Sequence, residues 1–248
     1  MQAARLVSYF VILACSLTTP AVAETVKTDA RVTQLIHEVS LLPHDSAPRQ
    51  AVLNDMVIET TGVKTGGNSR AELTFADQTI TRLGANTLYS FKNAGRRVEL
   101  RNGSTLLRVP KDSRGAAIIS SAVTIGITGT TVIFESTGGG SSRLTVLEGT
   151  ARLTLVRARD QQREVAAGQS LEVPAGAVRL ADPKQIDLAA FMKSSPLIVG
   201  FRPLPSENLI NNAIRQQQQQ QRGPQNQNQR QGPQGPQNVA PAPPPGPH

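Results

Sequence analysis

The chain has 248 residues and a formal charge of +8, and aromatic side chains make up only 3% of it. Arg5, Arg222 and Arg230 lie in two compositionally distinct ends, so residues 24–215 keep a dispersed excess of +5 with no basic run. That distribution, with few aromatic platforms, argues against nucleic acid as a partner, and the single cysteine, Cys15, leaves little room for disulfides or thiol chemistry.

Residues 1–23 combine Arg5, an apolar run from Leu6 to Leu17 and the small-x-small sequence Ala21-Val22-Ala23, the pattern of a cleavable signal peptide. The run is too short to span a bilayer as a helix, which takes roughly 20 residues. A competing reading places a lipidated Cys15 at the mature N-terminus, because Ile12-Leu13-Ala14-Cys15 loosely resembles a lipoprotein box. Either way the expected location is periplasmic or secreted, with no transmembrane span after signal cleavage.

Residues 24–54 form an N-terminal segment in which Val32, Leu35, Ile36, Val39 and Leu41 suit a pair of strands. Asp55 to Thr60 has the composition of a strand that enters the following domain. From there period two dominates. Ala71, Leu73 and Phe75 alternate with Arg70, Glu72 and Thr74, and Val98 and Leu100 alternate with Glu99 and Arg101. Val123, Ile125 and Ile127 alternate in the same way with Thr124, Gly126 and Thr128, so each run reads as a strand with one buried face.

Turn chemistry separates these strands at Gly66-Gly67-Asn68, Asp77-Gln78, Asn102-Gly103, Gly138-Gly139-Gly140, Glu148-Gly149 and Ala167-Gly168. Asn102-Gly103 carries the strongest signal, a type I′ hairpin turn. The apolar-x-apolar-x-turn pattern recurs at Leu73 to Gln78, Val98 to Gly103 and Leu144 to Gly149, at irregular intervals. Glu72 and Glu99 fall on the polar phase of their strands, where solvent-facing charges belong.

After Asp182-Pro183 the period changes. Leu188, Phe191 and Met192, then Ile210, Ala213 and Ile214 behind a Ser206 cap, predict two short helices on the sheet edge. From Gln216 the composition collapses to Gln, Pro, Asn, Gly and Arg, which predicts a disordered tail over residues 216–248.

No constellation of catalytic residues emerges. His37, His44 and His248 lack metal-ligand spacing, and no Gly-x-Ser-x-Gly or phosphate-binding loop is present. Glu72, Asp77, Glu99 and Glu148 supply the carboxylates of the one remaining enzymatic route, a paired-acid hydrolase. The expectation is therefore no catalytic, metal-ligating or cofactor-binding residue, and no cofactor.

The ordered set of motifs resembles the FecR domain. Ser69-Arg70-Ala71-Glu72-Leu73-Thr74-Phe75-Ala76-Asp77 and Arg82-Leu83-Gly84-Ala85-Asn86-Thr87 are similar to its opening, with Gln78 where glycine is usual. Val98 to Gly103, Ile127 to Phe134, Val146 to Ala151 and Ala167-Gly168-Gln169 continue the resemblance, with Thr128 where arginine is common. It covers about residues 55–175.

The resemblance implies an extracytoplasmic all-β domain. The best-known members sense a signal from an outer-membrane transporter and regulate an extracytoplasmic-function sigma factor. This chain shows no cytoplasmic helix or internal span, so direct sigma-factor control is not expected of it.

The combined expectation is an all-β meander of hairpins forming a FecR-like roll, sandwich or short solenoid over residues 55–180. Short helices over 181–215 and a disordered tail complete it. The expected function is a non-enzymatic binding, sensing or scaffold module of the bacterial cell envelope, partnered by an envelope protein or an anionic envelope polymer. The alternatives are a structural surface component that assembles through its tail and a carboxylate-dependent hydrolase.

Overall fold

The computed structural model describes residues 29–222, so the expected signal peptide, Cys15, His248 and residues 223–248 lie outside the described residues. The first half of the described chain forms β1 (Ala30–Ile36), β2 (Val39–Leu42), β3 (Arg49–Gln50), β4 (Met56–Val57), β5 (Gly62–Thr65), β6 (Arg70–Phe75), β7 (Ile80–Leu83), β8 (Leu88–Lys92) and β9 (Arg97–Arg108). Then come β10 (Ala116–Ile119), β11 (Val123–Ile127), β12 (Thr131–Ser136), β13 (Ser142–Glu148), β14 (Thr150–Leu155), β15 (Gln162–Ala166), β16 (Gln169–Val173) and β17 (Lys184–Gln185). Two helices follow, α1 (Leu188–Ser194) and α2 (Glu207–Arg222).

The strands form two sheets that share β9. The first runs β4-β1-β6-β7-β9-β12-β13-β16-β17. The second runs β3-β2-β5-β8-β9-β10-β11-β14-β15. All these pairings are antiparallel except β9 with β10. Hairpins alternate between the sheets, with β10-β11 in the second, β12-β13 in the first, β14-β15 in the second and β16-β17 in the first. The strand-rich class is as expected, and of the roll, sandwich and short solenoid left open by the sequence the pairing forms a two-layer roll. Within the N-terminal segment β2 pairs with β3, whereas β1 joins the other sheet between β4 and β6.

The core lies between the sheets. Leu73, Phe75, Leu107, Phe134 and Val146 of the first meet Tyr89, Phe91, Leu100, Ile125 and Leu153 of the second. Phe75 and Phe91 pack edge to face with centroids 4.8 Å apart. Full burial of each such side chain stabilises the fold by about 1.5–3 kcal/mol, which a cysteine-poor domain needs.

Asn102-Gly103 is not a hairpin turn. The two residues lie inside β9, at the corner where the strand leaves the second sheet and enters the first. Residues 97–102 pair with β8, residues 103–108 pair with β12, and residues 105–108 also pair with β7. Gly103 alone takes positive φ there, at 100°, and a Cβ at this position would lie 2.5 Å from the Thr87 Cα. Gly129, Gly149 and Gly168 mark the next crossings between sheets, at β11-β12, β13-β14 and β15-β16. Asp77-Gln78 is a true hairpin turn, with Gln78 itself in the left-handed region at φ 66°.

The helices cover a face, not an edge. Leu106, Ile133 and Leu147, on the outer side of the first sheet, form a second apolar cluster with Leu188, Leu197, Leu204 and Ile210. Burying three apolar side chains exposed on that face outweighs covering an edge whose outermost strands, β4 and β17, have only two residues each. Asp187 caps α1 by accepting from Ala190 N at 2.9 Å. Ser206 precedes α2, but its hydroxyl pairs with Thr131 Oγ1 at 2.9 Å instead of capping the helix.

α2 also runs past the boundary expected at Gln216 and ends at Arg222. Glutamine is a good helix former, and Gln217 anchors the added turn. Its Nε2 donates to Ile186 O at 2.6 Å while its Oε1 accepts from Leu188 N at 3.2 Å. No described helix is long and apolar enough to cross a membrane.

Candidate functional site

The outer face of the first sheet carries the most completely buried ion pair among the described residues. Arg82 on β7 stands opposite Glu72 on β6, in a register set by the Asp77-Gln78 turn, and its Nε donates to Glu72 Oε2 at 2.8 Å. Both side chains are more than nine-tenths buried. Glu72 was expected to face solvent from the polar phase of its strand; the segment after α1 covers that face and takes the residue out of water. Thr33 Oγ1 donates to the other carboxylate oxygen, Glu72 Oε1, at 2.8 Å.

The remaining donors of Arg82 point into the covering segment, Ser195 to Ser206, a strap between the helices. Nη1 donates to Leu197 O at 3.1 Å, and Nη2 donates to Arg202 O. Arg70 Nη1 donates to Pro196 O and Val199 O, both at 2.8 Å, and Gln34 Nε2 donates to Gly200 O at 2.8 Å. The Phe201 ring lies under both guanidiniums, 4.6 Å from Arg82 Cζ and 5.8 Å from Arg70 Cζ.

The strap is built for this. Ile198 N and Val199 N both donate to Ser195 O, and Phe201 N donates to Ile198 O, so the chain winds through successive tight turns. Such turns leave their last carbonyls without backbone donors, as at a helix C-terminus, and cations satisfy them well. Burial lowers the Arg82 pKa, and the bond and charge of Glu72 oppose that shift. The recognition is largely of backbone, so other chains with the same turn geometry could meet the same donors.

Beside the strap lies a groove of about 740 Å³ between α1 and the sheet, lined by His37, Arg70, Gly84, Ser104, Arg143 and Pro196. His37 sits in the left-handed region at φ 57°, in the turn between β1 and β2. His44 is exposed in the loop after β2, 3.9 Å from Asp45. Among the described residues no group of three or more His, Cys, Asp or Glu is placed to hold a metal ion.

The four candidate carboxylates are not brought together. Glu72 is taken by Arg82, and Asp77 Oδ1 accepts from Thr79 N at 2.9 Å in its turn. Glu99 lies on the second sheet, 3.7 Å from Lys92 and 3.8 Å from Arg97. Glu148 ends β13, where burial raises its pKa against the opposing charge of Lys111 at 4.0 Å. β7, β9 and β12 stand between Glu72 and Glu148, a separation of about 19 Å, against the roughly 5–10 Å that paired acids need.

Sequence reasoning missed Gln34, Arg70 and Arg82 as a clamp. One signal was available, because a turn centred on Asp77-Gln78 places Glu72 and Arg82 opposite each other as an oppositely charged cross-strand pair. Their burial was not available, since it depends on residues more than a hundred positions away.

A two-layer β roll with glycine corners, holding a peptide strap on one face, is the class of domain these features define. Residues 61–152, from just before β5 to within β14, match the family model described as FecR protein. Two crystal structures of a protein from Parabacteroides distasonis ATCC 8503, provisionally named an anti-sigma factor, resemble the chain at 13% and 12% identity. Each likeness has a TM-score of 0.46 and covers 54% of this chain. This chain spans 65% and 64% of the length of those two chains. No curated protein matches the sequence.

Proposed function

We propose that the protein is an exported, non-enzymatic FecR-domain module that binds a protein partner in the bacterial cell envelope and serves sensing or regulation there. The FecR domain supports a regulatory or sensing role, and the N-terminal sequence, with Ala21-Val22-Ala23 before Glu24, supports export to the periplasm or beyond. A lipid anchor at Cys15 is the competing form of export.

One observation carries the binding role. The buried cation of the first sheet is spent on holding peptide backbone: Arg82 and Arg70 together take four strap carbonyls. The outer face of the first sheet is thus a peptide-docking face, and the strap is its resident ligand. A partner engages the module by presenting a similar turn to that face or by reading the strap that fills it.

Cross-linking in intact cells tests the proposal, comparing the full chain with a chain ending at Arg222 and identifying captured proteins by mass spectrometry. An envelope protein enriched by both forms supports docking on the folded domain. A partner lost on truncation would move recognition into residues 223–248, and the absence of any enriched protein would remove the binding role.

A further inference from the structure

The outer face of the second sheet differs from that of the first in having no cover among the described residues. Its outward side chains are exposed or half-buried throughout β9, β10, β11, β14 and β15. Register aligns Lys92, Arg97, Ala117, Gly126, Arg152 and Glu164 in one row across six strands. The two smallest residues stand in the middle of that row. They form the floor of a depression of about 650 Å³ whose rim carries Arg96, Arg114 and Arg152.

The charge on this face is unbalanced. Lys92 and Arg97 share Glu99, and Arg152 pairs with Glu164 at 2.9 Å, all partly or largely exposed. Arg96 and Arg114 have no acidic partner within 4.0 Å among the described residues. The hydroxyls of Thr128 and Thr150, on the same rim, donate to no acceptor among the described residues. A Cβ built on Gly126 meets no atom within 4 Å, so a ligand can approach the sheet backbone there.

The geometry points to a binding trough for a linear, phosphate-bearing polymer across the second sheet, between the Arg97 side and Arg152. These ends are three strand spacings apart, about 14 Å, enough for several repeat units of an extended polyanion. Guanidinium forks match phosphate oxygens, and flanking hydroxyls serve the additional acceptor positions that a tetrahedral phosphate offers over a planar carboxylate. The aromatic residues of β8, Tyr89 and Phe91, point into the core, so the trough has no platform for stacking bases. This site goes beyond the protein-docking role of the first sheet and stands or falls separately from it.

Titration of the full mature chain with linear sodium polyphosphate at several salt concentrations tests the assignment. The expected result is binding that weakens steeply with salt. The double variant R96A/R114A should lower affinity by about tenfold or more and reduce the log–log salt slope by about two. The variant Gly126→Asp, which has room for its side chain, should abolish binding while keeping the wild-type melting transition. The double variant R31A/R215A removes the same charge from the first-sheet side and should change affinity less than twofold.

Three results would overturn the trough: no binding of polyphosphate, an equal loss in R31A/R215A, or equally tight binding of polygalacturonate, a carboxylate polymer. Loss of the protein partner from the first sheet would leave the titration unchanged, which separates the two roles.

Discussion

Arg82 shows how one side chain ties the sheet to its cover. Removing one member of a buried ion pair leaves the other charged and unpaired, at a cost of about 3–5 kcal/mol. Arg82→Met should therefore destabilise the protein by that amount in urea unfolding. The double variant E72L/R82M should recover the ion-pair part and retain a deficit of about 1 kcal/mol for each of the two strap carbonyls left without a donor. Full recovery in the double variant would mean that the bonds to Leu197 and Arg202 contribute nothing.

Glu148 makes a pH prediction at the same scale. Burial raises its pKa, so the folded state favours the protonated carboxyl over the unfolded chain. The stability tied to that proton is fully present below the ordinary carboxylate range and is lost as pH rises through the raised folded value. Glu148→Gln should accordingly be more stable than wild type at pH 7, and the advantage should vanish near pH 4. Unfolding midpoints at the two pH values check this, and an unchanged difference between them would refute it.

At the scale of elements, alternation made the strands and their inward faces legible. Leu73, Phe75, Val98, Leu100, Ile125 and Ile127 all point into the core, as their spacing predicts. What alternation does not reveal is whether a positive-φ residue turns a hairpin or carries the chain to the opposite sheet. Both need the same backbone conformation, and this is why Asn102-Gly103 reads as a hairpin but serves as a corner.

The corner makes a sharp prediction. Gly103→Ala combines a φ of 100° with a Cβ driven against Thr87, and should cost about 3 kcal/mol or more in thermal unfolding. Gln78→Gly should do the reverse. It relieves a left-handed side chain at φ 66° and should stabilise the hairpin by about 1 kcal/mol. A neutral Gly103→Ala would mean that the corner relaxes without cost.

Across the whole molecule, the all-β class, the FecR resemblance and the two C-terminal helices were legible because each rests on local pattern. The docking face was not. Glu72 and Arg82 become a buried pair only when residues 195–206 fold back over β6 and β7, a long-range contact that leaves no local periodicity. The end of α2 was misread for a related reason. Glutamines with no apolar phase look like a tail until Gln217 finds the backbone of Ile186 and Leu188.

These contacts set the expected behaviour of truncations. A chain ending at Arg222 should melt as cooperatively as the full protein. A chain ending at Pro183 exposes Leu106, Ile133 and Leu147 together and should aggregate or lose its cooperative transition, read by light scattering and calorimetry. A soluble, cooperative product ending at Pro183 would show that the strap and helices are dispensable to the fold.

Site-specific photo-cross-linking in intact cells tests the docking face most directly. The reactive side chain is placed at Val199, which is 49% exposed on the strap, and at Thr124 on the outer face of the second sheet as the comparison. The account predicts a discrete adduct with an envelope protein at position 199 and none at 124. No protein adduct at 199, or adducts equal at both positions, would contradict it.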